Sequence, residues 1–262
     1  MKRTILITGA SAGLGAALAR EYASRGWNLI LVARRAARLE ALAAELKAEY
    51  GADSRVIAAD LFSETAVPDL MTALGGAQVD GLINNAGYGH PGAFLASSWE
   101  DHRRFNHLMS VVPAELTHAL LPAMVDRGFG RVMQVASLAG HMPGSKGHTL
   151  YAAVKAYLVK FSESLNAEMK GKGVHVSALC PGFVLTEFHD VNGTREGINS
   201  LPNFMVMKAD VCARLGADAV EANKAVFISG RVNRFLAGLN RWMPWLGRRV
   251  MNSGSGKYRK VD

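Results

Sequence analysis

Short apolar runs rich in β-branched residues alternate along the chain with segments of helical periodicity. Between the first two runs, Leu14, Leu18 and Tyr22 recur at helical spacing. Strand, helix and strand repeated in this order require right-handed crossovers, so the pattern predicts an α/β fold with a doubly wound, mostly parallel sheet and helices on both faces. The runs lack clear polar alternation, as expected of strands that are covered on both sides. The candidate strands are TILITG, NLILVAR, RVIAAD, GLINNAG, RVMQVAS, VHVSALCPG and a weaker seventh, AVFISG.

Composition narrows the class of protein. The chain has 262 residues, of which 49% are hydrophobic and 20% charged, enough for a large core in one large α/β domain or in two small ones. The motifs described below favour one domain over residues 1–230. Its two cysteines, Cys180 and Cys212, are far apart and lack metal-ligand spacing, so we predict no metal site and a reducing cytoplasm. The apolar run at the start stops at Thr8, and no apolar stretch reaches about 18 residues, so neither a leader nor a transmembrane helix is expected.

The net charge of +8 is concentrated at the end of the chain, where residues 231–262 hold eight Lys or Arg and one acid. The body is nearly neutral, so nucleic-acid binding is not expected. Residues 231–252 have helical periodicity through Phe235, Leu239, Trp242 and Leu246. Such a basic amphipathic extension suits peripheral contact with a membrane surface, or a helix that covers a pocket or subunit contact. Residues 253–262 are predicted to be a flexible tail.

The first predicted strand ends in the turn TGASAGLG, with Gly9, Gly13 and Gly15 before a helix. Glycines allow positive φ and bring backbone N–H groups close to a pyrophosphate, which a helix N-terminus also favours. The alternative is an ordinary strand-to-helix turn. Ligands of such sheets bind beyond the carboxyl ends of the strands, so this is where we look for chemistry.

A second short motif is YAAVK, in which Tyr151 and Lys155 are four residues apart. On a helix this spacing places both side chains on one face, one turn apart. The motif is too short to indicate an activity by itself.

Taken together, TGASAGLG, NNAG at residues 84–87, Ser137, YAAVK and PGFVLT at residues 181–186 resemble the short-chain dehydrogenase/reductase superfamily, from about residue 3 to 230. The resemblance implies a single-domain Rossmann fold with a seven-stranded sheet in the order 3-2-1-4-5-6-7. It also implies an NAD(P)-dependent oxidoreductase acting on CH–OH or C=O groups, usually as a homodimer or homotetramer.

The resemblance also implies a cofactor site. Arg34 follows the second strand, where members that use NAD commonly carry an acid, and a guanidinium there would pair with the 2′-phosphate of NADP(H). Arg35 and Ser11 would share this role, so NADP(H) is expected in preference to NAD(H). Asn84 is expected to tie the central strands together. The implied cofactor contacts are Gly9, Ser11, Gly13, Leu14, Gly15, Arg34, Arg35, Asp60, Leu61, Asn85, Ala86, Gly87, Tyr151, Lys155, Pro181, Gly182, Val184 and Thr186.

Hydride transfer to a carbonyl needs a proton donor and a group that polarises the oxygen. The resemblance gives these roles to Tyr151 and Ser137. A free phenol has a pKa near 10, but an ammonium about 4 Å away would favour the phenolate by roughly 4 kcal/mol at an effective dielectric near 20, which is the role expected of Lys155.

One position departs from the family pattern. Met109 stands where an Asn usually supports a proton relay from the lysine, and a thioether cannot donate a hydrogen bond. Asn106 lies one turn earlier and would substitute if the helix were shifted or bulged. The alternative function is an NADP(H)-binding sensor or assembly protein with little turnover.

Substrate choice is expected in the loops after NNAG and after PGFVLT. Their apolar and aromatic content favours a bulky, apolar ketone or secondary alcohol. His141 and His148 are interpreted as substrate-loop residues rather than metal ligands. The candidate pocket residues are Tyr88, His90, Phe94, Phe183, Phe204 and Met205.

Overall fold

The computed structural model describes residues 2–89, 92–144, 147, 149–186, 205–243 and 245. Predicted features at His90, His148, Phe204 and residues 246–262 therefore lie outside the described residues. Strands and helices alternate, as predicted. In chain order the elements are β1 Thr4–Thr8, α1 Gly13–Ser24, β2 Asn28–Ala33, α2 Ala36–Tyr50, β3 Ser54–Ala58, α3 Ala66–Leu74, β4 Gly81–Asn84, α4 Trp99–Asn106, α5 Val112–Asp126, β5 Gly130–Val135, α6 Thr149–Glu168, β6 Val174–Cys180, β7 Phe183–Leu185, β8 Val206–Lys208, α7 Ala209–Glu221, β9 Val226–Ile228 and α8 Arg231–Trp242.

The main sheet has seven parallel strands in the order β3-β2-β1-β4-β5-β6-β9. This confirms the predicted fold and order, with AVFISG supplying the seventh strand of the sheet. The sequence did not predict the small second sheet, in which β7 pairs in parallel with β8. The direction of winding reverses between β1 and β4, which places a crevice at the carboxyl ends of these two strands.

Apolar side chains fill both sides of the sheet. One layer packs α1, α2 and α7 through residues such as Leu18, Leu39 and Ala213. The other layer packs α3, α5 and α6 through residues such as Leu70 and Leu116. Each fully buried leucine contributes about 1.5–3 kcal/mol of transfer free energy, so the two layers fix the strand ends that carry the site.

A continuous helical stretch runs from Trp99 to Asp126 and includes a π-helical segment at His107–Val111 between α4 and α5. Among the described residues it is the one helix long and apolar enough, by length and composition, to cross a membrane. Phe105, Leu116 and Met124 on this stretch are fully buried within the fold. We therefore interpret it as a core helix.

Candidate active site

The glycine-rich turn after β1 has the backbone geometry that its sequence predicts. Gly9 and Gly13 have φ values of +66° and +55°, in the left-handed region that favours glycine. A Cβ at Gly15 would lie 2.3 Å from the Gly9 carbonyl oxygen, so the turn closes only with glycine there. Ala12 gives α1 no side-chain cap, and the first turn contains no acid. The N–H groups at the start of α1, which include that of Leu14, are therefore available to an anion.

The segment NNAG holds this turn in place. The Asn85 side chain donates to the carbonyl oxygens of Thr8 at 2.9 Å and Gly9 at 3.3 Å. Thr8 Oγ1 in turn accepts from the backbone N–H groups of Asn85 and Ala86, both at 3.0 Å. The tie between β1 and β4 thus uses Asn85 and Thr8, and Thr8 was missed from the sequence.

The prediction that Asn84 ties the central strands together was wrong, because its side-chain partners lie on helix α5. Asn84 Nδ2 donates to the Pro113 carbonyl oxygen at 3.1 Å and to Thr117 Oγ1 at 3.2 Å. The side chain therefore ties β4 to helix α5 rather than to a neighbouring strand. A polar residue at the end of a strand can turn to either layer, and here Thr117 on the helix provides the acceptor.

Basic residues gather where β2 meets α2. Arg35 donates through Nε and Nη2 to Ser11 Oγ, at 3.2 and 3.0 Å. Arg34 is exposed, and its guanidinium carbon is 5.5 Å from the centre of the Phe62 ring. Asp60 Oδ1 accepts from the Phe62 N–H at 3.2 Å, and the intervening Leu61 is buried. The residues predicted to contact the adenosine end of the cofactor therefore lie on one surface, which carries the guanidinium groups of Arg34 and Arg35.

Segments from β6 onward close the other side of the turn. A Cβ at Gly13 would be 3.1 Å from Thr186 Cβ, so Thr186 contacts the glycine turn directly. The Pro181 carbonyl oxygen accepts from the Leu138 N–H at 2.8 Å, which joins this segment to the one that carries Ser137. Val184 is buried. Gly182 lies against Asn233 of α8, whose Nδ2 is 2.3 Å from the position of a Cβ.

These features fit a dinucleotide with a phosphate on its adenosine ribose. The open N-terminus of α1 suits the pyrophosphate, and Arg34, Arg35 and Ser11 suit the additional phosphate. Gly87 and Ala86 add no bulky side chain beside the sheet.

Lys155 is charged but only 7% exposed. Its Nζ donates to the Val135 carbonyl oxygen at 2.8 Å and lies 5.6 Å from the centre of the Tyr151 ring. An ammonium on the same side of the helix as the phenol favours the negatively charged form of that phenol. Burial lowers the pKa of Lys155 to about 8, because a charged group loses its hydration there.

Ser137 follows β5 in an extended conformation, and its Oγ accepts from the Ala139 N–H at 3.1 Å. This contact fixes the oxygen and leaves the hydroxyl hydrogen available to a ligand. The next residues, Leu138–His141, form a 3₁₀ turn. A Cβ at Gly140 would be 2.8–2.9 Å from backbone atoms of Lys155 and Ala156, so this turn lies directly against α6. Gly140 was missed, because only the tertiary contact reveals its importance.

Met109 lies in the π-helical segment and is 2% exposed. It forms an apolar cluster with Phe105 and Val154, against which Tyr151 packs. A Cβ at Gly87 would be 2.8 Å from its sulfur, so the thioether fills the space between NNAG and α6. Asn106 ends α4, and its carbonyl oxygen accepts from Ser110 Oγ at 2.6 Å. The bulge on which its substitute role depends is thus present, and the role itself stays a prediction.

The candidate substrate residues have different environments. Tyr88 packs edge-on against Phe62 and Phe105, with ring centres 5.7 and 5.3 Å away. Phe94 stacks on His102 at 4.5 Å and keeps 42% of its surface exposed, and Phe183 keeps 39%. Met205 is half-buried. His90 and Phe204 lie outside the described residues.

His141 contacts Cys180 rather than an acid, with Nε2 3.4 Å from Sγ. Burial lowers the pKa of His141 and raises that of the Cys180 thiol to about 12. Both shifts favour the neutral form of the side chain. No group of three or more His, Cys, Asp or Glu residues among the described residues could hold a metal ion.

Comparison with known proteins gives one consistent family. The model of the short chain dehydrogenase family matches residues 3–196. Serine 3-dehydrogenase of Agrobacterium fabrum is 38% identical over 212 residues, covering 77% of this chain and 80% of that protein. Very-long-chain 3-oxoacyl-CoA reductase-B of Danio rerio is 33% identical over 192 residues, which cover 71% of this chain and 61% of that protein. The chain therefore spans about three fifths of the length of the Danio rerio relative.

Two solved structures are similar to this chain over a larger share of its length than the relatives above. A short-chain dehydrogenase from Sphingobium yanoikuyae in complex with NADPH is 32% identical, with a TM-score of 0.80 over 99% of this chain and 97% of that one. The bulky-bulky ketone specific alcohol dehydrogenase from Comamonas testosteroni is 31% identical, with a TM-score of 0.78 over 93% of each chain. The sheet order, the glycine turn and the family match lead to one conclusion: this chain belongs to the short-chain dehydrogenase/reductase superfamily.

Proposed function

We propose that this chain is an NADPH-dependent carbonyl reductase, reversible as an alcohol dehydrogenase, acting on bulky, apolar ketones or secondary alcohols. The observation that carries the proposal is the contact at Gly140 between the segment that follows Ser137 and helix α6, the helix that carries Tyr151 and Lys155. A bound nicotinamide cofactor supplies the hydride.

The residues of the chain then handle the proton and the charge. Tyr151 donates its phenolic proton to the substrate oxygen and takes it back in the oxidative direction. Ser137 donates a hydrogen bond from its hydroxyl to the same oxygen, while its Oγ accepts from the Ala139 N–H. The Lys155 ammonium stabilises the tyrosinate that forms.

Preference for NADP(H) over NAD(H) is supported by the hydrogen bonds from Arg35, just before α2, to Ser11 in the glycine-rich turn. The NADPH in the Sphingobium yanoikuyae complex is in line with this choice. The substrate class is supported by the exposed Phe94 and Phe183 and by likeness to the Comamonas testosteroni enzyme, whose specificity is for bulky-bulky ketones. A cytoplasmic location and a homodimer or homotetramer remain part of the proposal.

The test is a screen of ketones and secondary alcohols with NADPH, NADH and their oxidised forms, followed by nicotinamide absorbance. Tyr151→Phe removes the proton donor and should lower kcat by about 10²–10⁴-fold. Tyr157→Phe is the matched control, because Tyr157 is on the same helix and 41% exposed. Unchanged turnover in Tyr151→Phe would refute the mechanism.

A second candidate is an NADP(H)-binding sensor or assembly protein with little turnover, favoured by the buried Met109 beside Tyr151. The two candidates differ in the turnover of the wild-type chain and in what substitutions at Met109 do to it. If this candidate is right, the wild-type chain binds NADPH without turnover across the panel, and Met109→Asn introduces turnover. Under the enzyme proposal the wild-type chain turns over, and Met109→Leu, which keeps the volume and the apolar character, stays within about threefold of it.

A further inference from the structure

Helix α8 packs on the fold through a side that mixes polar and apolar residues, with Val232 and Leu236 partly buried there. Asn233 and Ala237 are its buried residues, and Asn240 donates from Nδ2 to the His141 carbonyl oxygen at 2.7 Å. Phe235 and Trp242 are 68% and 82% exposed. A surface helix normally buries its largest apolar side chains against the core, whereas α8 leaves its two aromatic side chains in solvent.

The exposed residues form one face. Phe235 and Trp242 are seven residues apart, which places them about 20° apart around the helix axis. In projection Trp242 lies between Phe235 and Arg231, and Arg234 and Arg241 run along one edge of the same face. All three arginines are exposed. Just past α8, Trp245 is 63% exposed. We call Arg231, Arg234, Phe235, Arg241, Trp242 and Trp245 the α8 face.

Charge decides which occupant suits this face. No acid occurs between residues 231 and 261, and the described salt bridges include none of the three arginines. A two-fold contact between two copies would bring the same patch onto itself, with arginine opposite arginine and nothing to neutralise them. An anionic bilayer offers phosphate groups to the arginines and an interfacial layer that tryptophan side chains favour.

We infer that the α8 face docks this protein on the surface of an anionic phospholipid bilayer. Helix α8 lies flat in the interface, with the aromatic side chains inserted and the arginines at the headgroups. Its inner side holds the segment after Ser137 through Asn240, and it holds Gly182 through Asn233. Docking therefore brings the bilayer close to two segments of the candidate active site.

The test is co-sedimentation of the full chain with vesicles of phosphatidylcholine alone or mixed equally with phosphatidylglycerol. We expect binding to the mixed vesicles that weakens with added salt. An arginine near an anionic surface contributes about 1 kcal/mol, or about fivefold. Arg231→Gln/Arg241→Gln should therefore weaken binding about 25-fold at low salt. Phe235→Ser/Trp242→Ser/Trp245→Ser should lose binding to background.

Trp99→Ser is the matched control, since Trp99 is 69% exposed on a different helix, and it should bind as the wild-type chain does. Circular dichroism confirms that each variant is folded. The inference is overturned if the wild-type chain ignores mixed vesicles, or if the aromatic variant binds like wild type. It is also overturned if the aromatic variant lowers the oligomer mass in light scattering without changing vesicle binding. Sedimentation does not depend on turnover, so this test is independent of the proposed activity.

Discussion

Lys155 is almost completely buried, so the free energy of unfolding should depend on whether its amine is protonated. Its pKa falls from 10.5 to about 8 on burial. Below pH 8 the lysine is protonated in both states, and the folded state carries the full burial cost. The difference of about 2.5 pK units corresponds to about 3 kcal/mol. Between pH 8 and 10.5 the unfolded chain binds more protons, so the contribution of this group to stability rises with pH.

The expected result is a pH-dependent difference between the wild-type chain and Lys155→Met, which has no charge to bury. From below pH 8 to 10.5, the free energy of unfolding of the wild-type chain should gain about 3 kcal/mol relative to the variant. Urea unfolding of both apo proteins across this range measures the difference. A difference that stays constant with pH would show that Lys155 is not buried as a charged group.

A substitution at Gly140 tests the contact between the segment after Ser137 and helix α6. In Gly140→Ala the new methyl group meets the backbone of Lys155 and Ala156 at 2.8–2.9 Å. Backbone atoms cannot rotate away, so we expect a loss of about 1–3 kcal/mol in stability and a lower kcat through displacement of Ser137. Gly144→Ala is the matched control in the same loop, because no described residue lies within 4 Å of a Cβ there. Equal kcat values in the two variants would contradict the role of this contact.

At the scale of elements, the junction of β2 and α2 should decide cofactor choice. Arg34 and Arg35 follow β2 directly, and Arg35 is the residue before α2. Removing charged hydrogen bonds to a phosphate costs about 1.5–3 kcal/mol. In Arg34→Ser/Arg35→Ser, the Kd for NADPH should therefore rise about 10- to 100-fold. Fluorescence titration with NADPH and NADH measures this, and NADH serves as the internal control. A parallel loss of NADH binding would indicate general damage to the site.

The helical stretch from α4 to α5 shows where element-scale prediction stops. The family resemblance indicated a helix there and a polar residue at the position of Met109. The π-helical segment His107–Val111 rotates the residues that follow it relative to a regular helix. That Met109 packs beside Tyr151 depends on this local geometry and on its contacts with Gly87 and Val154.

At the scale of the whole molecule, two apolar side chains on neighbouring helices of one face remain exposed. Val111, just before α5, is 49% exposed, and Tyr157 on α6 is 41% exposed. If this face joins copies of the chain, Val111→Asp/Tyr157→Asp should lower the mass measured by light scattering, because burying two carboxylates in an apolar contact is unfavourable. Leu95→Asp, at a position 91% exposed on a different segment, is the control. An unchanged mass would place the contact elsewhere.

The sequence by itself determined the sheet, its strand order, the glycine turn and the Tyr151–Lys155 pair. The strands, the turn and the pair depend on periodicity and on spacings of a few residues, which the chain carries locally, and the strand order follows from the family that these motifs resemble. The tertiary structure decided the partner of Asn84, the contact of Gly140 with α6 and the position of Met109. It also decided that the aromatic side chains of α8 face away from the core. Each depends on which distant residues meet once the two apolar layers have packed, and a local pattern does not specify such contacts. The sequence indicated that residues 231–252 are amphipathic, but only packing revealed that the aromatic side faces solvent.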